Sequence, residues 1–157
     1  MSVPVTTSPQ QQRALERFYF YEARLLDSRQ YQQWLALVSQ DIQYIVPSRT
    51  TPLVDYRQRG AETMICGERE VVGTVSCGCA IREEGYVNLL LRVERAYKIN
   101  AWAENPPART RRIVGNVELM SQSDAGLAVW SNFHLHYARP GSADTVIAGQ
   151  RRDLLAS

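Results

Sequence analysis

The chain has 157 residues, 45% of them hydrophobic and 22% charged, with 18 Lys and Arg against 16 Asp and Glu for a formal charge of +2. That length suits a single domain over 1–157, and the near-neutral balance excludes a polybasic nucleic-acid binder. No apolar run approaches the ~20 residues that span a bilayer. Met1 to Gln12 lacks the charged and apolar regions of a secretory leader, so the sequence reads as cytoplasmic with no membrane partner.

Residues 1–7 are small and polar and are expected to be disordered. Ser8-Pro9-Gln10-Gln11 then reads as a helix start, with Ser8 as N-cap, Pro9 as first helical residue and Gln11 as the reciprocal capping partner. Leu15, Phe18, Tyr19, Glu22, Leu25 and Leu26 recur at helical spacing, and all but Glu22 are apolar or aromatic. Asp27-Ser28-Arg29-Gln30 repeats the capping logic with Asp27 as cap. It opens a short second helix whose stripe is Tyr31, Trp34, Leu35 and Val38. Ile42 to Val46 is a strand stopped by Pro47, and the turn-rich, charged stretch from Ser48 to Gly60 reads as loop. Met64 to Ala80 is hard to read: Glu70 to Val75 has strand character, while Gly67, Gly73 and Gly78 interrupt it.

Gly85 to Ala103 carries the clearest helical stripe, with Val87, Leu90, Leu91, Tyr97 and Ala101 along it, and the Pro106-Pro107 pair is expected to close it. The stretch from Ala101 to Arg112 around that pair is dense in contact-making residues. Trp102 offers a large apolar surface, and Arg109, Arg111 and Arg112 offer forked donors suited to carboxylates and carbonyls. Three strand patterns follow, Arg112 to Ser121, Leu127 to Arg139 and Thr145 to Leu155, with turns at Ser123–Gly126 and Pro140–Ala143. Helices first and a meander of long strands last is an α+β order. A curved, mainly antiparallel sheet around the N-terminal helices would bury both apolar stripes in a cone-shaped roll.

Chemistry-bearing residues are few. Cys66, Cys77 and Cys79 are an odd set without metal-site spacing and read as free thiols. His134 and His136 share one face of a strand, with Phe133, Leu135 and Tyr137 on the other. One reading makes His134 or His136 a general base beside Asp41 or Tyr44, in a stand-alone dehydratase or isomerase. The other leaves both histidines exposed or at a subunit contact, and it is favoured because the aromatic face makes the better core. A binding module that holds a small apolar ligand without turnover is a third possibility. There is no Gly-rich phosphate loop, nucleophile elbow, or Cys-x-His with Cys-x-x-His pairing.

Phe18-x-x-x-Glu22-Ala23-x-Leu25-Leu26-Asp27, Trp34-Leu35 and Ile42-x-Tyr44 carry a family likeness. More specific are Arg92-Val93-x-Arg95, the run from Ala101 to Arg111, and Val114-x-Asn116-Val117. Together they resemble the small (β) subunit of bacterial aromatic-ring-hydroxylating (Rieske non-haem iron) dioxygenases, over roughly residues 14–155. The resemblance implies the cone fold of ketosteroid isomerase and scytalone dehydratase. It also implies a non-catalytic structural role in the degradation of aromatic compounds, in a hexamer of three large and three small subunits with the small ones as a trimer. It implies no cofactor in this chain: a Rieske 2Fe-2S cluster and a mononuclear iron belong to the large (α) subunit, and their electrons come from NADH through a reductase. No catalytic residue carries over. Trp102, Glu104, Arg109 and Arg111 match the family signature and are expected at or near subunit contacts. Family members run on past Arg151–Leu155 into a further strand and tail, so either that strand is absent here, leaving an edge for a partner to cover, or the chain is shortened.

Overall fold

In the computed structural model, which describes residues 4–50, 57, 71–73, 80–98 and 105–156, ten elements are described. They run α1 (Pro9–Asp27), α2 (Tyr31–Leu35), β1 (Gln43–Val46), β2 (Ser48–Thr50), β3 (Val71–Gly73), β4 (Arg82–Gly85), α3 (Tyr86–Ala96), β5 (Arg109–Ser123), β6 (Gly126–Ala138) and β7 (Thr145–Leu155). The fold is α+β, and every sheet is antiparallel. Two units are distinguished, Met1–Ser39 with Arg92–Ser157, and Gln40–Leu91. No helix among the described residues is long and apolar enough to cross a membrane.

The first unit is built on α1 and the sheet β5-β6-β7. Ser8 caps α1 as expected, its hydroxyl accepting from the Gln11 N–H at 3.1 Å. The return half of the capping box is not made. Gln11 instead donates its amide to Gln122 Oε1 on β5 at 3.3 Å, because a tertiary partner is in reach. Ahead of the helix, in the segment expected to be disordered, the Val5 N–H donates to the Leu119 carbonyl at 2.8 Å. Leu15, Tyr19 and Ala23, spaced four apart, are buried along α1. Leu15 and Tyr19 form one cluster with Val117, Leu119 and Val129 of the sheet.

Val117 and Leu119 reach that core because β5 changes parity. Before Gly115 the even-numbered side chains Arg112 and Val114 are the half-buried ones; after Asn116 the odd-numbered ones are buried. The register slips there by one residue, from Gly115↔Asn132 to Glu118↔Trp130, and Asn116 takes a positive φ of 49°. This is a β-bulge, and asparagine is among the residues that tolerate the left-handed region. Without the slip, the two apolar residues would face the opposite side of the sheet.

At the far end of the sheet, Gly126 has φ +131°, and a Cβ there would lie 2.3 Å from the Leu155 carbonyl oxygen. Gly126→Ala is expected to cost about 2 kcal/mol and to lower the thermal midpoint by roughly 6 °C. An unchanged midpoint would show that the ends of β6 and β7 separate freely. Nearby, the buried Ser131 Oγ has no partner among the described residues. Ser131→Ala is therefore expected to stabilise the chain by about 1 kcal/mol in urea unfolding, and a loss of stability would reveal a partner for the hydroxyl.

The second unit pairs β1 with β4 and β2 with β3. β2 lies in the stretch expected to be loop, and β4 was not foreseen. Both are polar, so no apolar alternation announces them; β4 has Arg82 and Glu84 on one face, joined by an ion pair at 2.8 Å. The helix expected from Gly85 to Ala103 stops at Ala96, where the Tyr97 and Lys98 N–H groups turn back to Glu94 and Arg95 carbonyls. The proline pair therefore does not end it. The Tyr97 hydroxyl accepts from the Tyr31 N–H and donates to the Arg29 carbonyl, each at 3.1 Å, a tertiary demand that outweighs the local pattern. The three cysteines lie outside the described residues.

Candidate functional site

Two carboxylates of α1, Glu22 and Asp27, meet the sheet in ion-paired clusters. Midway, Glu22 accepts from the Arg151 guanidinium at 2.6 Å and from the Trp34 indole at 3.1 Å. Arg151 also reaches Asp153 at 3.1 Å and lies over the Tyr19 ring, while the Tyr19 hydroxyl donates to Asp153 at 2.8 Å. Burial, and then the neighbouring Asp153 carboxylate, hold the Tyr19 phenol well above the usual tyrosine range. The Glu22 carboxylate holds the Arg151 guanidinium above its ordinary value against the opposing effect of burial.

At the helix end, the Asp27 carboxylate accepts from the Thr110 hydroxyl at 2.9 Å, from the Arg112 N–H at 2.8 Å and from the Arg112 guanidinium. The expected capping role of Asp27 is therefore not observed: α1 runs through it, and α2 starts at Tyr31 behind Gln30, which makes no side-chain cap. The corner closes by the Gln30 N–H bonding the Leu25 carbonyl and the Arg29 N–H the Leu26 carbonyl. That is the Schellman pattern, with Arg29 at φ 58° in the position where glycine is usual. The Arg29 guanidinium donates to the Ala108 carbonyl at 3.1 Å, just ahead of β5.

Between this corner and the start of the sheet is a cleft of about 450 Å³ lined by Asp27, Arg29, Arg109, Arg111, His136 and Asp144, among others. β5 begins at Arg109, three residues earlier than expected, so Arg109 and Arg111 are strand residues on one exposed face. Trp102 and Glu104 lie outside the described residues. His134 and His136 are exposed, and His136 Nε2 is 3.2 Å from Asp144 Oδ2. Phe133, Leu135 and Tyr137 alternate with them on the half-buried face. Asp41 and Tyr44 belong to the Gln40–Leu91 unit, where Tyr44 pairs across from Glu84 and is exposed. Among the described residues, no three His, Cys, Asp or Glu side chains form a group able to hold a metal ion.

Glu22, Asp27, Arg29 and Arg151 were not singled out as site residues in the sequence. Two signals pointed toward them. Glu22 interrupts an otherwise apolar stripe, and a carboxylate at the last turn of a helix opposes the helix dipole unless a cation meets it.

Comparisons with known proteins agree with this architecture. A family model described as the ring hydroxylating beta subunit matches residues 21–157. The benzene 1,2-dioxygenase subunit beta of Pseudomonas putida is 30% identical over 97% of this chain and 75% of its own length. The biphenyl 2,3-dioxygenase subunit beta of Rhodococcus jostii is 31% identical over the same shares. Among solved structures, a chain of naphthalene 1,2-dioxygenase superposes with a TM-score of 0.74 at 25% identity, covering 94% of this chain and 71% of that one. The beta subunit of benzoate 1,2-dioxygenase from Burkholderia mallei, at 21% identity and a TM-score of 0.62, shows the shared fold. With a family match over residues 21–157, this chain belongs to the ring hydroxylating beta subunit family.

Proposed function

We propose that the chain is the structural small subunit of an aromatic-ring-hydroxylating dioxygenase, working in the cytoplasm on the degradation of aromatic compounds. Three copies would form a trimer that joins three large (α) subunits. The Rieske 2Fe-2S cluster and mononuclear iron would belong to the large subunit, reduced by NADH through a reductase. Family membership carries the reading. The outer face of the sheet supports it: Ile113 is 74% and Val146 64% exposed, on the strand positions that flank His134 and His136. Apolar side chains of that size on a strand face suit a protein contact. Arg109 and Arg111 share that face, and with Trp102 and Glu104 of the same signature run they are the proposed interface residues. The exposure of His134 and His136 counts against a stand-alone isomerase, which needs its base in an enclosed pocket.

Native mass spectrometry tests the reading. The chain alone is expected as a trimer, and co-expression with a large (α) subunit encoded beside it is expected to give an equimolar hexamer, with iron present only in that complex. A monomer or dimer that ignores the large subunit would overturn it.

A further inference from the structure

We infer that the cleft between the end of α1 and the start of β5 is a carboxylate-binding site, read by Arg29, Arg109 and Arg111. Arg109 and Arg111 are two residues apart on one strand, so their side chains leave the same face about 7 Å apart. The third guanidinium is brought to them by its bond to the Ala108 carbonyl. All three line the one cleft.

Among the described residues, nothing neutralises the charge there. Of the two carboxylates lining the cleft, Asp27 is occupied by Arg112 and Thr110, and Asp144 faces His136. Among the described residues, neither Arg109 nor Arg111 has a carboxylate partner. Arg29 adds a second argument. It holds a left-handed position that glycine would adopt without strain, so the local backbone gives no reason for an arginine, while the cleft does. Forked guanidinium donors match the two oxygens of a carboxylate, and the cleft volume is in the range of small-ligand sites. The carboxylate is either that of a free organic acid or one presented by another polypeptide.

The inference does not rest on the subunit reading, because its test is made on the full chain with no large subunit present; a failed hexamer leaves it standing. Acetate is titrated into the isotope-labelled chain at low salt and followed by the arginine side-chain NMR signals. Saturable shifts of Arg109 and Arg111 are expected with acetate and none with acetamide. The double substitution Arg109→Ala with Arg111→Ala should weaken binding at least tenfold. The double Lys substitution should weaken it by less, and Arg152→Ala on β7 should leave it unchanged. Benzoate bound tenfold tighter than acetate would assign the site to a free aromatic acid. Equal affinities would assign it to a carboxylate borne by a larger chain. Absence of a saturable shift, an equal response to acetamide, or binding that survives both double substitutions would overturn the inference.

Discussion

Asp27→Ala is expected to lower the stability of the chain by about 3 kcal/mol, measured as a shift of the urea midpoint at constant slope. The Asp27 side chain is 8% exposed and accepts three hydrogen bonds, from Thr110, from the Arg112 backbone and from its guanidinium. Truncation leaves a guanidinium that is only 24% exposed, a backbone N–H and a hydroxyl without their acceptor. The cost is set by those stranded donors more than by the worth of the pair. A double variant, Asp27→Leu with Arg112→Met, is therefore expected to recover much of the loss, since it removes the charge on both sides. If Asp27→Ala costs less than about 1 kcal/mol, the pair behaves as an ordinary surface ion pair and does not fasten α1 to β5.

The same residue shows where reading the sequence succeeds and where it stops. The start of α1 was legible because Ser8 and Pro9 act on neighbours three residues away, and β7 was legible to the residue because its β-branched opening and the Pro140-Gly141 turn before it are local. Asp27 has the same local grammar as a cap, but its acceptors are engaged by a strand 85 positions along the chain, and no window of sequence contains that pairing. α3 ends early for a similar reason, since Tyr97 answers to Arg29 and Tyr31. β2 and β4 carry polar residues and are strands by pairing alone. Of the signature run, Arg109 and Arg111 were legible as contact-makers by type. Their place on a strand, and the company of Arg29, required the fold; Trp102 and Glu104 fall outside the described residues.

Arg151→Ala is expected to be the more damaging change, at about 4 kcal/mol. Arg151 separates two carboxylates that are poorly exposed, Glu22 at 12% and Asp153 at 24%, and it lies 5.2 Å over the ring of Tyr19, which is fully buried. Without it, those carboxylates lose their shared cation, and among the described residues the Trp34 indole and the Tyr19 hydroxyl remain to serve them. Arg151→Lys keeps the charge but not the fork that spans both acids, so about half the loss should remain. The neighbouring Arg152→Ala removes an arginine stacked 4.4 Å over Trp130 and should cost no more than about 1 kcal/mol. Equal losses at 151 and 152 would show that the cluster contributes no more than surface charge. Alkaline titration reads the same cluster through Tyr19. Its phenol stays protonated in the folded chain while the unfolded chain ionises near pH 10, so above that pH the unfolded state holds fewer protons. The stability contributed by neutral Tyr19 is full below about pH 10 and is lost as the pH rises beyond it. Tyr19→Phe cannot ionise, so its stability should fall less steeply than the parent's above pH 10; parallel curves would show that the phenol is not held back from ionising by its burial beside Asp153.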